Sequence, residues 1–261
     1  MKSLSNQAIA TWMLCIAAVF VSSGMSVAQT PPPKPASPIV TLPTQATAGG
    51  VFTPAKVTAD DFSVAKYIRF PKDPALAQKE SAVQFYCDID ERGNVLTTYG
   101  LIGKDESFKN AVQTGLDWGR FQAATVNGRG VPVYLAGTVL FLRQNNVPIT
   151  VVTLATHERE RVAKITQYSQ PQLIGGLRYY LDRALQRSDA DNPFGASAEV
   201  VVKVGAKGEV ISMTITGESP KGSKAGDFVL QALKPAQFTP AYANGKPEAG
   251  TLNIIANFSE M

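Results

Sequence analysis

The chain has 261 residues, a hydrophobic share of 44% and a charged share of 18%. These proportions exclude wholesale disorder and leave room for one to three ordinary domains. The formal charge of +4 is scattered, with no dense basic run and no aromatic residues interleaved in one, which argues against nucleic-acid binding.

At the N-terminus Lys2 precedes an apolar run, residues 8–21, interrupted only by Thr11, and Ser26 and Ala28 suit a signal-peptidase site before Gln29. Residues 1–28 therefore read as a secretory signal peptide. Residues 8–28 carry no charge and are also long enough to span a bilayer, so an uncleaved segment would act as a membrane anchor. Cys15 follows Trp12-Met13-Leu14, bulky residues that do not suit a lipidation site. Residues 29–57 form a proline-rich spacer, densest from Pro31 to Pro38. Fixed φ and missing donors favour a semi-rigid, polyproline-type tether there.

Beyond the spacer the chain repeats itself. Val83, Phe85, Cys87 and Ile89 alternate with polar residues up to a glycine turn at Asp90-Glu91-Arg92-Gly93-Asn94. The run Ala198-Glu199-Val200-Val201-Val202-Lys203-Val204 likewise leads up to Gly205-Ala206-Lys207-Gly208-Glu209. Second strands follow over 95–102 and 210–216, so each unit opens with a β-hairpin. Phe108, Ala111, Val112, Gly115 and Leu116 then fall at helical spacing, as do Ala225, Phe228, Val229, Ala232 and Leu233. Asn127-Gly128 and Asn244-Gly245 mark turns 117 residues apart. Closing strands are expected over 133–142 and 251–258. Helical lead-ins are expected over 59–67, with a capping-box outline from Thr58 to Asp61, and over 173–187. Between the units, residues 148–154 read as extended, and the charged stretch 157–166, with a Glu160–Lys164 pair, as a partly helical connector.

The ordered set of glycine-turn hairpin, helix, aromatic-Arg-aromatic or Phe-x-Pro-Ala element, Asn-Gly turn and strand resembles the TonB C-terminal domain family. Trp118, Arg120 and Phe121 carry the resemblance in the first unit; Phe238, Pro240, Ala241 and Gly245 carry it in the second. Gln170-Pro171-Gln172 and Ile174-Gly175-Gly176 are similar to the family's lead-in. The resemblance implies an α+β fold of two tandem TonB C-terminal-like domains, each a three-stranded antiparallel sheet packed against one or two helices. The domains would cover 58–145 and 169–261, joined by a connector at 146–168.

The resemblance further implies a periplasmic, non-enzymatic protein that binds a partner by β-strand addition, with TonB-dependent outer-membrane transporters as the expected partners. The peptide-binding residues would be Thr251, Asn253, Ile255 and Asn257, facing outward on the last strand, together with Gln170 and Pro171 of the lead-in. The equivalent strand of the first unit is apolar on both faces, which predicts that the connector or the other unit covers it. A structural protein of the cell envelope, self-assembling through its sheet edges as a homodimer or larger array, is the other reading. The apolar N-terminal segment contains no histidine, unlike the family's motor-engaging helix, so binding rather than energy transduction carries over.

Little chemistry is offered beside this. One histidine, His157, and one cysteine outside the signal, Cys87, build no metal cluster, and no cofactor motif is present. Cys87 reads as a buried strand residue. Asp88 and Asp90, on the strand face opposite Cys87, read as solvated carboxylates.

Overall fold

The alternating run around Cys87 becomes strand β2, Ser81–Ile89, in the computed structural model, and Gly93 turns it into β3, Val95–Ile102. Helix α2, Glu106–Trp118, follows and buries Phe108, Val112, Gly115 and Leu116. The same order returns in the second half: β10 (Ser197–Val204), β11 (Val210–Ser219), and a helix at Ala225–Leu233, designated α4. The closing strands are β6, Val133–Gln144, and β15, Gly250–Asn257. Each pairs antiparallel with the first strand of its own hairpin, β6 with β2 and β15 with β10. The fold is thus mixed α+β, with mostly antiparallel sheets and few helices.

The structure describes residues 51–73, 76, 79–156, 168–187 and 193–259, all within the unit Leu42–Met261 of the two into which the chain divides. The signal or anchor segment, the spacer up to residue 50, His157 and the Glu160–Lys164 pair lie outside the described residues.

Two short hairpins complete the pattern. β4 (Ala124–Val126) and β5 (Arg129–Val131) flank Asn127-Gly128, and β13 (Ala241–Ala243) and β14 (Lys246–Glu248) flank Asn244-Gly245. In both turns the Asn and the Gly have positive φ, 51° and 78°, as two-residue hairpin loops require. Each hairpin pairs with a two-residue strand from the segment ahead of its half: β1 (Phe52–Thr53) on β4, and β8 (Tyr168–Ser169) on β13.

The lead-ins depart from the sequence reading. The first shrinks to one turn, α1, Val64–Tyr67, capped by the Ser63 hydroxyl rather than from Thr58. Asp60 instead accepts from the Phe62 amide in the preceding turn. In the second, Leu173–Ile174 is a strand, β9, and α3 runs only from Leu177 to Leu185. Gly175 and Gly176, at φ 95° and 77°, break the helical path between them. Leu173 and Ile174 pair with Tyr134 and Val133 of β6 on one side and with β12 (Gln237–Phe238) on the other.

The outer edge of β6 is closed along both ends. β9 covers its start, and β7 (Val147–Thr153), joined through an Asn145-Asn146 turn, covers residues 138–144. The extended stretch expected between the units is β7. The main sheet therefore runs β12-β9-β6-β2-β3, with β7 also on β6; the second sheet runs β11-β10-β15.

One face of the main sheet, with Val83, Phe85, Cys87, Ile89, Val133 and Leu135, packs on α1 and α2. The opposite face contributes Tyr86, Tyr99, Tyr134 and Ala136 to a core shared with β10, β15, α3 and α4. The two halves thus share hydrophobic burial, the larger stabilising term in small units. Gln172 ties the lead-ins together: its side-chain amide accepts from the Ala55 N–H at 3.0 Å and donates to the Ala55 carbonyl at 3.1 Å, in a buried position. Gln172→Ala leaves both backbone groups unpaired and is expected to cost about 2–4 kcal/mol, read as a lower urea midpoint with an unchanged slope.

Candidate partner-binding edge

Which strand edges are open depends on the seam between the halves, and two polar side chains organise that seam. Asp88 sits on β2 with Cys87 and Ile89 on either side, so its side chain points away from the helix-covered face. Rather than reaching solvent, as its alternation suggested, it is 3% exposed. Its carboxylate accepts from the N–H groups of Leu177 and Arg178 at 2.8 and 2.9 Å and from the Tyr99 hydroxyl at 2.7 Å. The N-cap residue of helix α3 is Gly176, which offers no side-chain cap. Asp88 of the first half therefore caps the first turn of a helix in the second, where the unpaired amides and helix dipole favour an anion. Burial raises the Asp88 pKa to about 6, against the lowering effect of these hydrogen bonds and of Arg178. Asp90 is separate from it: in the hairpin turn it accepts from the amides of Arg92 and Asn94.

The second organiser is Tyr134 of β6, fully buried. Its hydroxyl donates to the Asn253 carbonyl at 3.2 Å and accepts from the Ile255 amide at 3.0 Å. These are outward ladder groups of β15, on the side away from β10. Burial pushes the Tyr134 phenol well above its ordinary range, and burial with the nearby Glu199 charge pushes Tyr86 to about 12, so both remain neutral donors. The edge of the second sheet thus stands on the face of the first. Gly100 of β3 lies beneath it, where an added Cβ would be 3.8 Å from Ile255 Cγ2.

This arrangement locates the residues expected to bind a peptide. Asn253 is buried, and Thr251, Ile255 and Asn257 are half-buried on β15. Gln170 is 3% exposed and accepts from the amide and hydroxyl of Thr156. Pro171 is buried against Gly250, at the start of β15. The fold does bring Gln170-Pro171 and β15 together, but inside the molecule. A strand added to β15 would have to displace the Tyr134 hydroxyl. Of the first-unit residues that carry the family resemblance, Phe121 is core and Trp118 is 70% exposed.

The opposite edge of the second sheet is β11, which among the described residues pairs only with β10. Asn253 and Ile255 turn their backbone groups away from β10, so their partners Val201 and Glu199 turn theirs toward β11. Thr214, opposite Val201, then faces inward, and Met213 and Ile215 present N–H and C=O groups outward. Extra residues at Ile211 and Thr216 bulge the strand at both ends and leave 212–215 as the regular stretch. Ile211 is 62% exposed, and residues 210–217 carry no charge. The counterpart strand in the first half, β3, is likewise the end strand of its sheet, paired with β2 and packed against β15.

Cys87 is fully buried and burial raises its thiol well above the ordinary value, as suits a packing residue. Among the described residues no group of three or more His, Cys, Asp or Glu could hold a metal ion, and no helix is long and apolar enough to cross a membrane. Compared with known protein families, curated proteins and solved structures, the chain matches none.

Sequence reasoning missed Asp88, Tyr134 and the β11 edge. One cue was present for Asp88: the helix after Gly175-Gly176 has no Ser, Thr, Asp or Asn ahead of it to act as cap.

Proposed function

We propose that this chain is an exported, periplasmic protein of the TonB C-terminal-domain type, without enzymatic activity, that binds an extended segment of another polypeptide by strand addition. The repeated hairpin–helix–strand order supports the family reading, with each half supplying one three-stranded unit. The observation that carries the binding role is the β11 edge, uncharged over residues 210–217, whose outward backbone groups pair with no other strand among the described residues. An incoming strand would satisfy the groups of Met213 and Ile215, and main-chain bonding would supply the affinity. The last strand, β15, is used internally, so the capture edge moves to the other side of the sheet. The expected partners are extended periplasmic segments of outer-membrane transporters.

The test is titration with such peptides, followed by amide exchange. Protection should rise at Met213 and Ile215 and stay constant at Asn253 and Ile255. Met213→Pro removes one outward donor while leaving the ladder to β10 intact. It should weaken binding by roughly tenfold or more, whereas Met213→Ala, which loses only packing, should bind normally. Equal binding by both variants, or protection appearing on β15, would overturn the assignment.

The absence of charge over 210–217 favours a second reading, self-pairing of β11 with β11 of another copy, since nothing there repels an identical strand. It predicts a concentration-dependent dimer in sedimentation velocity that Met213→Pro abolishes.

A further inference from the structure

Helices α3 and α4 pack side by side in the second half, and the groove along them has a volume of about 750 Å³. Its banks are cationic on both sides. Arg183 and Arg187 lie one turn apart on α3 and its C-terminal end, and Lys224 and Lys234 bracket the two ends of α4. A nine-residue helix is about 14 Å long, so the positive charge is spread along the groove. Asp227 is the single carboxylate among the described lining residues. The lining also carries apolar surface from Ala184, Phe228 and Ala232. Phe228 is held by an edge-on contact with the buried Phe258 ring, 5.6 Å between centroids. None of these residues belongs to β11, so the groove is a separate feature of the surface.

We propose that this groove docks an acidic amphipathic helix of a partner protein. The concave shape between two helices accepts a third helix laid lengthwise, with its apolar stripe against Phe228 and Ala232. Cations on both banks match a ligand with carboxylates flanking that stripe. A planar membrane would meet the rims of such a groove and leave the apolar lining unused. Opposite charge on facing surfaces raises the encounter rate and sets the register, and the buried apolar contact supplies the affinity.

The test uses a fluorophore-labelled helical peptide of about four turns, with Leu at i, i+3, i+4 and i+7 and Glu on the flanking positions. Saturable binding is expected at low salt, falling as the Debye length drops below the width of the groove. Reversing the α3 bank with Arg183→Glu and Arg187→Glu should weaken binding by roughly tenfold or more. Phe228→Ala should weaken it too, and Met213→Pro on β11 should leave it unchanged. All four cations are exposed. If the arginine variant misfolds by circular dichroism, Lys224→Glu with Lys234→Glu tests the opposite bank. Three results would overturn the proposal: undiminished binding by the charge-reversed variants, equal affinity for a peptide with every Leu replaced by Glu, or binding of anionic vesicles through these arginines in place of the peptide.

Discussion

Replacing Asp88 by alanine is expected to lower stability by about 3–5 kcal/mol, because it strands two buried donors and a part-buried one at once. The amides of Leu177 and Arg178 lose their only cap, and the Tyr99 hydroxyl loses its acceptor. Urea denaturation should show the loss directly. If the halves separate before they unfold, α3 would fray first, and amide exchange at residues 177–181 would accelerate ahead of exchange in β2. Asp88→Asn separates charge from shape. The carboxyl's pKa rises on folding from near 3.8 to about 6, so the native state binds the extra proton between those values. Stability owed to this group is fully present below pH 3.8 and is lost as pH rises through 6. The stability of the unsubstituted protein relative to Asp88→Asn should therefore fall by on the order of 3 kcal/mol from pH 3.8 to pH 7. A flat difference over that range would mean that the carboxylate is not buried as described.

Gly93→Ala is expected to cost about 3 kcal/mol or more. Gly93 has φ +88°, and a Cβ there would lie 1.9 Å from the Phe121 carbonyl oxygen, a backbone atom that cannot rotate aside. The Gly93 carbonyl also accepts from the Phe121 amide at 2.9 Å, so the hairpin tip is pressed onto the chain just beyond α2. Gly208, at φ +84°, meets the Phe238 carbonyl in the same way, at 2.5 Å. The control is Gly128→Ala. Its φ is +78° with nothing within 4 Å, so it should carry only the left-handed backbone penalty of about 1 kcal/mol. Equal losses in the two variants, measured as denaturation midpoints, would show that the hairpin tip does not press on Phe121.

The seam also explains why the two related halves are not used alike. Tyr134 projects from the closing strand of the first half onto the edge of the closing strand of the second, while β7 and β9 close the first strand's own edge. Two edges that would otherwise be templates for pairing are satisfied inside the chain. The β11 edge is not closed in this way among the described residues, and bulges at its ends limit how long a partner strand can be.

Local patterning settled much of this protein. The period-two runs around Cys87 and Val202, the helical stripes from Phe108 and Ala225, and the Asn-Gly turns each encode their element through contacts a few residues apart. Those elements appear within a few residues of where the sequence places them. The closing strand's double-sided apolarity also announced that it would be covered, because exposed apolar surface on both faces is unfavourable. What the sequence could not supply was the identity of the covering groups. Asp88 reads as a solvated strand residue, since alternation tells which face a side chain takes but not what lies against that face. Leu173 and Ile174 look helical until a strand edge is available to pair with them. The choice between β15 and β11 as the open edge depends on a tyrosine hydroxyl over a hundred residues distant. Burial, long-range pairing and edge closure are properties of the assembled halves, so only the tertiary structure decided them.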